Sequence, residues 1–120
     1  KERQVGSVQR ESFRRAHAAG VRIVFGSDAG VYPHGSNGRQ FAYMVQWGMT
    51  PMEAIQAATI NAARLLKRDN EFGALVVGRS ADLIAVAGNP LENVRTLENV
   101  GFVMKQGEVF KDELSGSASR

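Results

Sequence analysis

A run of apolar residues that ends in a glycine-punctuated polar loop constrains this chain most. Residues 21–38 read VRIVFGSDAGVYPHGSNG. The first five (Val21, Arg22, Ile23, Val24, Phe25) predict a short strand, apolar on both faces after its first turn. A strand covered on both sides belongs in a parallel sheet flanked by helices, because crossover connections put helices on both faces. The loop then supplies Ser27, Asp28, His34 and Asn37, spaced by Gly26, Gly30, Gly35 and Gly38. In α/β architectures, ligands and chemistry sit at the carboxyl ends of parallel strands. Asp28, three residues past the last apolar residue, is therefore the leading catalytic candidate.

The flanking sequence fits that placement. Residues 5–19 predict a helix with Val5, Val8, Ser12, Phe13 and Ala16 on one stripe and charges opposite. Gly20 is its expected left-handed terminator. Arg14, Arg15 and His17 fall in its last turns, where cations favour the helix dipole, so His17 reads as structural and not as a metal ligand. Helix, glycine and buried strand make half of a βαβ unit, and the expectation is that the chain begins in mid-architecture. A second helix spans 39–47, with Phe41, Met44 and Val45 apolar and Gly48 ending it. Tyr43 and Trp47 are at the spacing of core packing, with pocket lining as the alternative.

A third helix, 51–66, has strong punctuation. Thr50 is the expected N-cap, Pro51 fits the first turn, and Glu53 completes a capping box. Ile55, Ala58, Thr59, Ala62, Leu65 and Leu66 form its apolar stripe, and alanines 54, 57, 58, 62 and 63 would allow close approach to a sheet. Beyond residue 70 the period becomes that of strands. Residues 72–78 predict a short strand and turn, 82–87 a strand stopped by Gly88-Asn89-Pro90, and 91–97 a loop with one helical turn. Residues 100–105 and 108–111 predict a hairpin about Gln106-Gly107.

Length and composition set outer limits. A chain of 120 residues, 43% hydrophobic and 22% charged, has the make-up of a globular domain with a modest core. No apolar run approaches the roughly 20 residues that cross a bilayer. The opening KERQVGSVQRESFRR has no signal-peptide pattern, and a cytoplasmic location is the expectation. Without cysteine, disulfides and thiolate metal ligands are excluded. Arginines 10, 14, 15, 22 and 39 give the first third a basic tint within a net charge of +3. No aromatic residues interleave with them as stacking platforms would require, so they read as a solvated face and nucleic acid is not an expected partner.

Several motifs together carry a resemblance. They are GSDA at a strand end, TPMEAIQAATINAARLL, the G-x-x-x-x-G-x-x-A-D-L of GALVVGRSADL, GNPLENV, and VGFVMKQGEVFK. In combination they resemble the C-terminal end of a metal-dependent amidohydrolase, nearest the imidazolonepropionase-like and Xaa-Pro dipeptidase-like branch. The resemblance implies an α/β fold: the last βα units of a TIM-type (β/α)8 barrel over residues 1–69, then C-terminal strands of a small β-sandwich over 70–112. The small polar tail, 113–120, is expected to be disordered.

The resemblance also implies chemistry. Asp28 matches the aspartate at the end of the eighth barrel strand, which touches the metal site and acts as general base. A divalent metal, zinc, as one or two ions, is the implied cofactor. The substrate would be a small amide, dipeptide or cyclic amide. The family's other ligands (a His-x-His pair, a bridging lysine or glutamate, two further histidines) have no counterpart here, since His17 and His34 belong to neither motif. The chain is therefore expected to be a fragment, inactive alone, whose partners are the rest of the same enzyme chain and other copies in a homo-oligomer. The competing reading is a non-catalytic chain that self-associates or assembles with a partner supplying the missing strands.

Four smaller readings complete the expectation. His34 and Asn37 would contact substrate at the barrel mouth, and Arg39 would pair with a substrate carboxylate. The alternative for all three is local stabilisation of a glycine-rich loop. Lys67 stands where the family often has glycine. Asp82 reads as a turn-capping carboxylate in preference to a second catalytic one.

Overall fold

The computed structural model describes residues 2–26 and 36–114. Asp28, His34 and Ser27 lie outside the described residues, as does 115–120 of the expected tail. Four α-helices come first: α1 (Glu2–Ala18), α2 (Arg39–Gln46), α3 (Pro51–Ala58) and α4 (Ile60–Leu65). They are followed by β1 (Leu83–Val86), a 3-10 helix (Val94–Glu98), β2 (Val100–Lys105) and β3 (Glu108–Asp112).

Three of the helices stop in the same way. After α1, Val21 N–H donates to Ala16 O at 3.0 Å and Gly20 N–H to His17 O at 3.1 Å. After α2, Met49 N–H reaches Met44 O and Gly48 N–H reaches Val45 O, both at 3.1 Å. After α4, Arg68 N–H reaches Ala63 O at 2.9 Å and Lys67 N–H reaches Arg64 O at 3.0 Å. Each pair is a Schellman closure, which needs a left-handed residue just past the cap. Gly20 (φ 78°) and Gly48 (φ 124°) supply it easily, whereas Lys67 adopts φ 59° with a side chain attached.

The expected helix over 51–66 is instead two helices. Its start is as read: Thr50 Oγ1 accepts from Glu53 N–H at 3.1 Å, and Glu53 Oε1 accepts from Thr50 N–H at 2.9 Å. At Thr59 the backbone leaves the helical region (φ −120°, ψ −96°), while the Thr59 hydroxyl donates to Ile55 O at 2.8 Å. A threonine that bonds back to the carbonyl four residues earlier bends a helix. Gly73 presses on this break. A Cβ there would lie 2.7 Å from Ala63 Cβ and 3.3 Å from Thr59 O, and φ is +99°.

The main core is built from Met44 and Met49 with Ala54 and Ala57, surrounded by Phe13, Ile23, Phe25, Phe41 and Val45. The alanine face of α3 is thus the buried one. The stripe expected to be buried behaves differently. Leu65 and Leu66 are mostly exposed, and Ile55, Ala58, Ala62 and Leu66 line an open cleft of about 510 Å³ between α3–α4 and Leu83–Ile84. On α1, Phe13 packs on the core, but Val8 is exposed.

Residues 21–25 form no ladder among the described residues, correcting the expected strand. A strand exists by virtue of its hydrogen-bonded neighbours, and here Phe25 N–H donates to Ala57 O of α3, at 3.0 Å. Residues 72–78 form turns where a short strand is expected. The remaining β structure follows the pattern read from sequence: an antiparallel sheet in the order β1-β2-β3, with bulges at Ala85/Val86 and Val103/Met104. The β2–β3 turn is the two-residue Gln106-Gly107, with φ of 51° and 78°. Two positive φ values make the type I′ geometry whose twist suits a hairpin. The 3-10 helix, capped by Asn93, whose Oδ1 accepts from Arg95 N–H at 3.1 Å, buries Val94 and Leu97. It approaches α2 so closely that a Cβ on Gly38 would meet Leu97 O at 2.6 Å.

Candidate functional site

The segment that leads to Asp28 is fixed on the helical layer by Phe25. Its amide is bonded to α3, and its ring stacks on Phe41 of α2 with centroids 5.1 Å apart and planes 21° from parallel. Beyond residue 35 the described chain resumes in a turn that starts α2: Arg39 N–H donates to Ser36 O at 3.2 Å and Gln40 N–H to Asn37 O at 3.1 Å. Of the four expected site residues, Asn37 and Arg39 are therefore placed, side by side at the start of α2. Asn37 is half-buried and Arg39 exposed.

Arg39 borders two small cavities facing the 3-10 helix. One, of about 200 Å³, is lined by Ser36, Arg39, Glu98 and Asn99. The other, of about 310 Å³, is lined by Arg39, Ala42, Tyr43, Arg95 and Glu98. Glu98 and Asn99 were not singled out from the sequence. Their proximity to Arg39 depends on a fold-back of some 60 residues, and no local spacing signals it. Trp47 meets Phe13 edge-on at 5.8 Å and packs on the helical layer, whereas Tyr43, stacked on Trp47 with centroids 5.6 Å apart, is exposed and borders a cavity.

Three other titratable residues singled out, His17, Glu53 and Asp82, have structural partners. His17 Nε2 lies 3.1 Å from Glu53 Oε2. The Glu53 carboxyl is held below the usual carboxylate range, first by the Thr50 backbone N–H and then by the bond to His17. Asp82 Oδ1 accepts from Gln106 N–H at 2.8 Å and from Ser80 Oγ at 2.9 Å. These two bonds, in that order, lower its carboxyl below the ordinary range. Asp82 thus ties down the β2–β3 turn, a partner 24 residues away. Arg68 and Glu71 form a two-bond exposed pair at 2.9 and 3.0 Å, and Arg68 lies over the Phe72 ring at 5.0 Å.

No group of three or more His, Asp or Glu side chains that could hold a metal occurs among the described residues. Their only histidine, His17, is engaged with Glu53. Among the described residues, too, no helix is long and apolar enough to cross a membrane.

Comparison with known proteins adds what the geometry leaves open. Ochratoxinase of Aspergillus niger is 37% identical over 106 residues, 84% of this chain and 22% of its own. Imidazolonepropionase of Geobacillus sp. (strain WCH70) is 52% identical over 40 residues, 33% of this chain and 9% of its own. A solved Xaa-Pro dipeptidase with bound methionine in the active site superposes with a TM-score of 0.83 at 48% identity, over 85% of this chain and 25% of that one. The chain therefore spans about a quarter or less of the length of these relatives. Mixed helical and antiparallel β structure agrees with an α/β portion of such proteins. The model of the amidohydrolase family matches residues 1–110, and the chain belongs to that family.

Proposed function

We propose that this chain is the C-terminal part of a metal-dependent hydrolase that cleaves C–N bonds in small amides, dipeptides or cyclic amides. The observation that carries the reading is the 48% identity, at a TM-score of 0.83, to a Xaa-Pro dipeptidase. Residues 1–69 would belong to its barrel and 70–112 to its β-sandwich. The relatives' names point to amide chemistry, and family membership makes a hydrolase the coarse conclusion.

In this reading Asp28 is the general base. Its carboxylate takes a proton from the attacking water as the water oxygen bonds to the carbonyl carbon. The same proton then passes to the departing nitrogen as the C–N bond breaks. A divalent metal, zinc by the family resemblance, would when bound polarise water and carbonyl. The described residues offer no ligand cluster for it; the His-x-His pair, bridging lysine or glutamate and two further histidines of the family resemblance have no counterpart in this sequence and would be supplied by the rest of the enzyme. Arg39 would bind a substrate carboxylate through its planar guanidinium, with His34 and Asn37 contacting the rest of the substrate. The exposed apolar residues Leu65, Leu66, Leu75 and Val77 support assembly with the remaining polypeptide.

The test is Asp28→Asn in the protein at its native length. The fold, followed by circular dichroism, should be unchanged and kcat should fall by about a hundredfold or more. Near-normal turnover would remove Asp28 from this role.

A further inference from the structure

Gly38 is a glycine for a reason its own dihedrals do not supply. Its φ of −61° and ψ of −22° suit any residue, yet a Cβ there would meet Leu97 O at 2.6 Å and Glu98 Cα at 3.0 Å. Backbone atoms that close cannot give way as the end of a flexible side chain can. The missing side chain is thus what lets the 3-10 helix lie against the start of α2, and Val94 and Leu97, both buried, anchor that helix. Glu98 is thereby fixed near Arg39, the residue that follows Gly38.

The two side chains carry opposite charge and do not pair. Among the described residues the Arg39 guanidinium is in no ion pair, and Glu98 pairs only with Arg95, Oε2 to Nη1 at 3.5 Å. That contact leaves the Oε1 atom of Glu98 for another donor. The Glu98 side chain is 23% exposed, against 71% for Arg95, so the carboxylate is set into the surface while its arginine partner lies in solvent. Arg39 and Glu98 line both cavities, the smaller with Ser36 and Asn99, the larger with Tyr43 and Arg95. A molecule in either one meets a wall that carries both a guanidinium and a carboxylate.

We propose that Glu98 is a specificity-determining residue, which accepts a protonated amine of the same substrate whose carboxylate Arg39 binds. This role rests on Arg39 being the carboxylate-binding residue, and it adds a demand for a cation elsewhere on the substrate. A free α-amino group, with an ordinary pKa of about 7.7–8.0, is mostly protonated at pH 7 and meets that demand. A blocked amine brings no charge to Glu98. A site built to hydrogen-bond one group discriminates against the analogue that lacks it, because the site's own polar atom is then left unpaired.

The test uses the protein at its native length and two probes. One is Ala-Pro, a dipeptide of the kind for which the Xaa-Pro dipeptidase relative is named. The other is N-acetyl-Ala-Pro, which keeps the carboxylate and loses the cation. KM for Ala-Pro should be lower by about tenfold or more, the weight of a hydrogen bond to a charged group. Glu98→Gln should raise KM for Ala-Pro by that factor, hold kcat within about twofold, and leave N-acetyl-Ala-Pro unchanged. Glu98→Asp, charged but shorter, should recover part of the preference. Arg39→Gln should raise KM for both probes alike, since both carry the carboxylate. Should neither probe be cleaved, calorimetry reads the same comparison as a ratio of dissociation constants. A preference that Glu98→Gln then abolishes would sustain the role of Glu98 and sink the dipeptide-cleaving reading instead. Equal or absent affinity for the two probes, or a preference that survives Glu98→Gln, would overturn the role of Glu98, and cleavage of either probe would leave the hydrolase standing.

Discussion

Lys67 is the residue whose replacement should improve this protein. It closes α4 in a left-handed conformation, φ 59°, with both Schellman hydrogen bonds formed. An L-residue in this region costs about 1–2 kcal/mol, because Cβ crowds the following carbonyl oxygen. Glycine escapes that penalty but loses more backbone entropy on folding, roughly 0.5–1 kcal/mol. The difference predicts that Lys67→Gly stabilises by about 0.5–1 kcal/mol. Little is lost with the side chain, which is exposed. Gly20 is the natural control. It occupies the same position after α1 at φ 78°, and a Cβ there would find no heavy atom within 4 Å. Gly20→Ala should therefore destabilise, by about 1 kcal/mol, purely through its backbone. Equilibrium urea unfolding reads both. With a slope of about 1–3 kcal/mol per molar, Lys67→Gly should raise the midpoint by roughly 0.2–1 M and Gly20→Ala should lower it. An unchanged or lowered midpoint for Lys67→Gly, with Gly20→Ala behaving as expected, would refute the strain at position 67.

Three other outcomes follow from particular contacts. Thr50→Ala removes the acceptor of the Glu53 amide and should cost about 1 kcal/mol, read as a lower unfolding midpoint with turnover unchanged where the protein stays folded. Asp82 has a folded-state carboxyl lowered by Gln106 and Ser80, so its contribution is present above the ordinary carboxylate value and lost as pH falls through the lowered one. Asp82→Asn should flatten the acid limb of the stability profile and speed exchange of the Gln106 amide. The isolated 120-residue chain should self-associate and retain no stoichiometric zinc after dialysis, measured by light scattering over a concentration series and by metal analysis. A compact monomer holding zinc and hydrolysing amides would reject the fragment reading.

What the sequence determined by itself is chemistry that acts within a few residues. Thr50, Pro51 and Glu53 specify a helix start because donor and acceptors are three positions apart. Gln106-Gly107 specifies a tight hairpin because only its two dihedral pairs decide the turn. Gly20 and Gly48 end their helices for the same local reason. Tertiary structure decided matters whose partners are distant. The Thr59 break faces Gly73, Asp82 holds the amide of Gln106, and His17 meets Glu53. It also decided which face of α3–α4 is buried: period alone marked Ile55 through Leu66, but the alanines 54 and 57 carry the contact. Residues 21–25 show the same division. Their apolar run was legible, yet a strand needs a neighbour to pair with, and among the described residues Phe25 finds its partner on a helix. Of the candidate site, Asn37 and Arg39 were legible as a loop-to-helix pair. Glu98 and Asn99 beside Arg39 were not, because only the packing of the 3-10 helix on α2 brings them there.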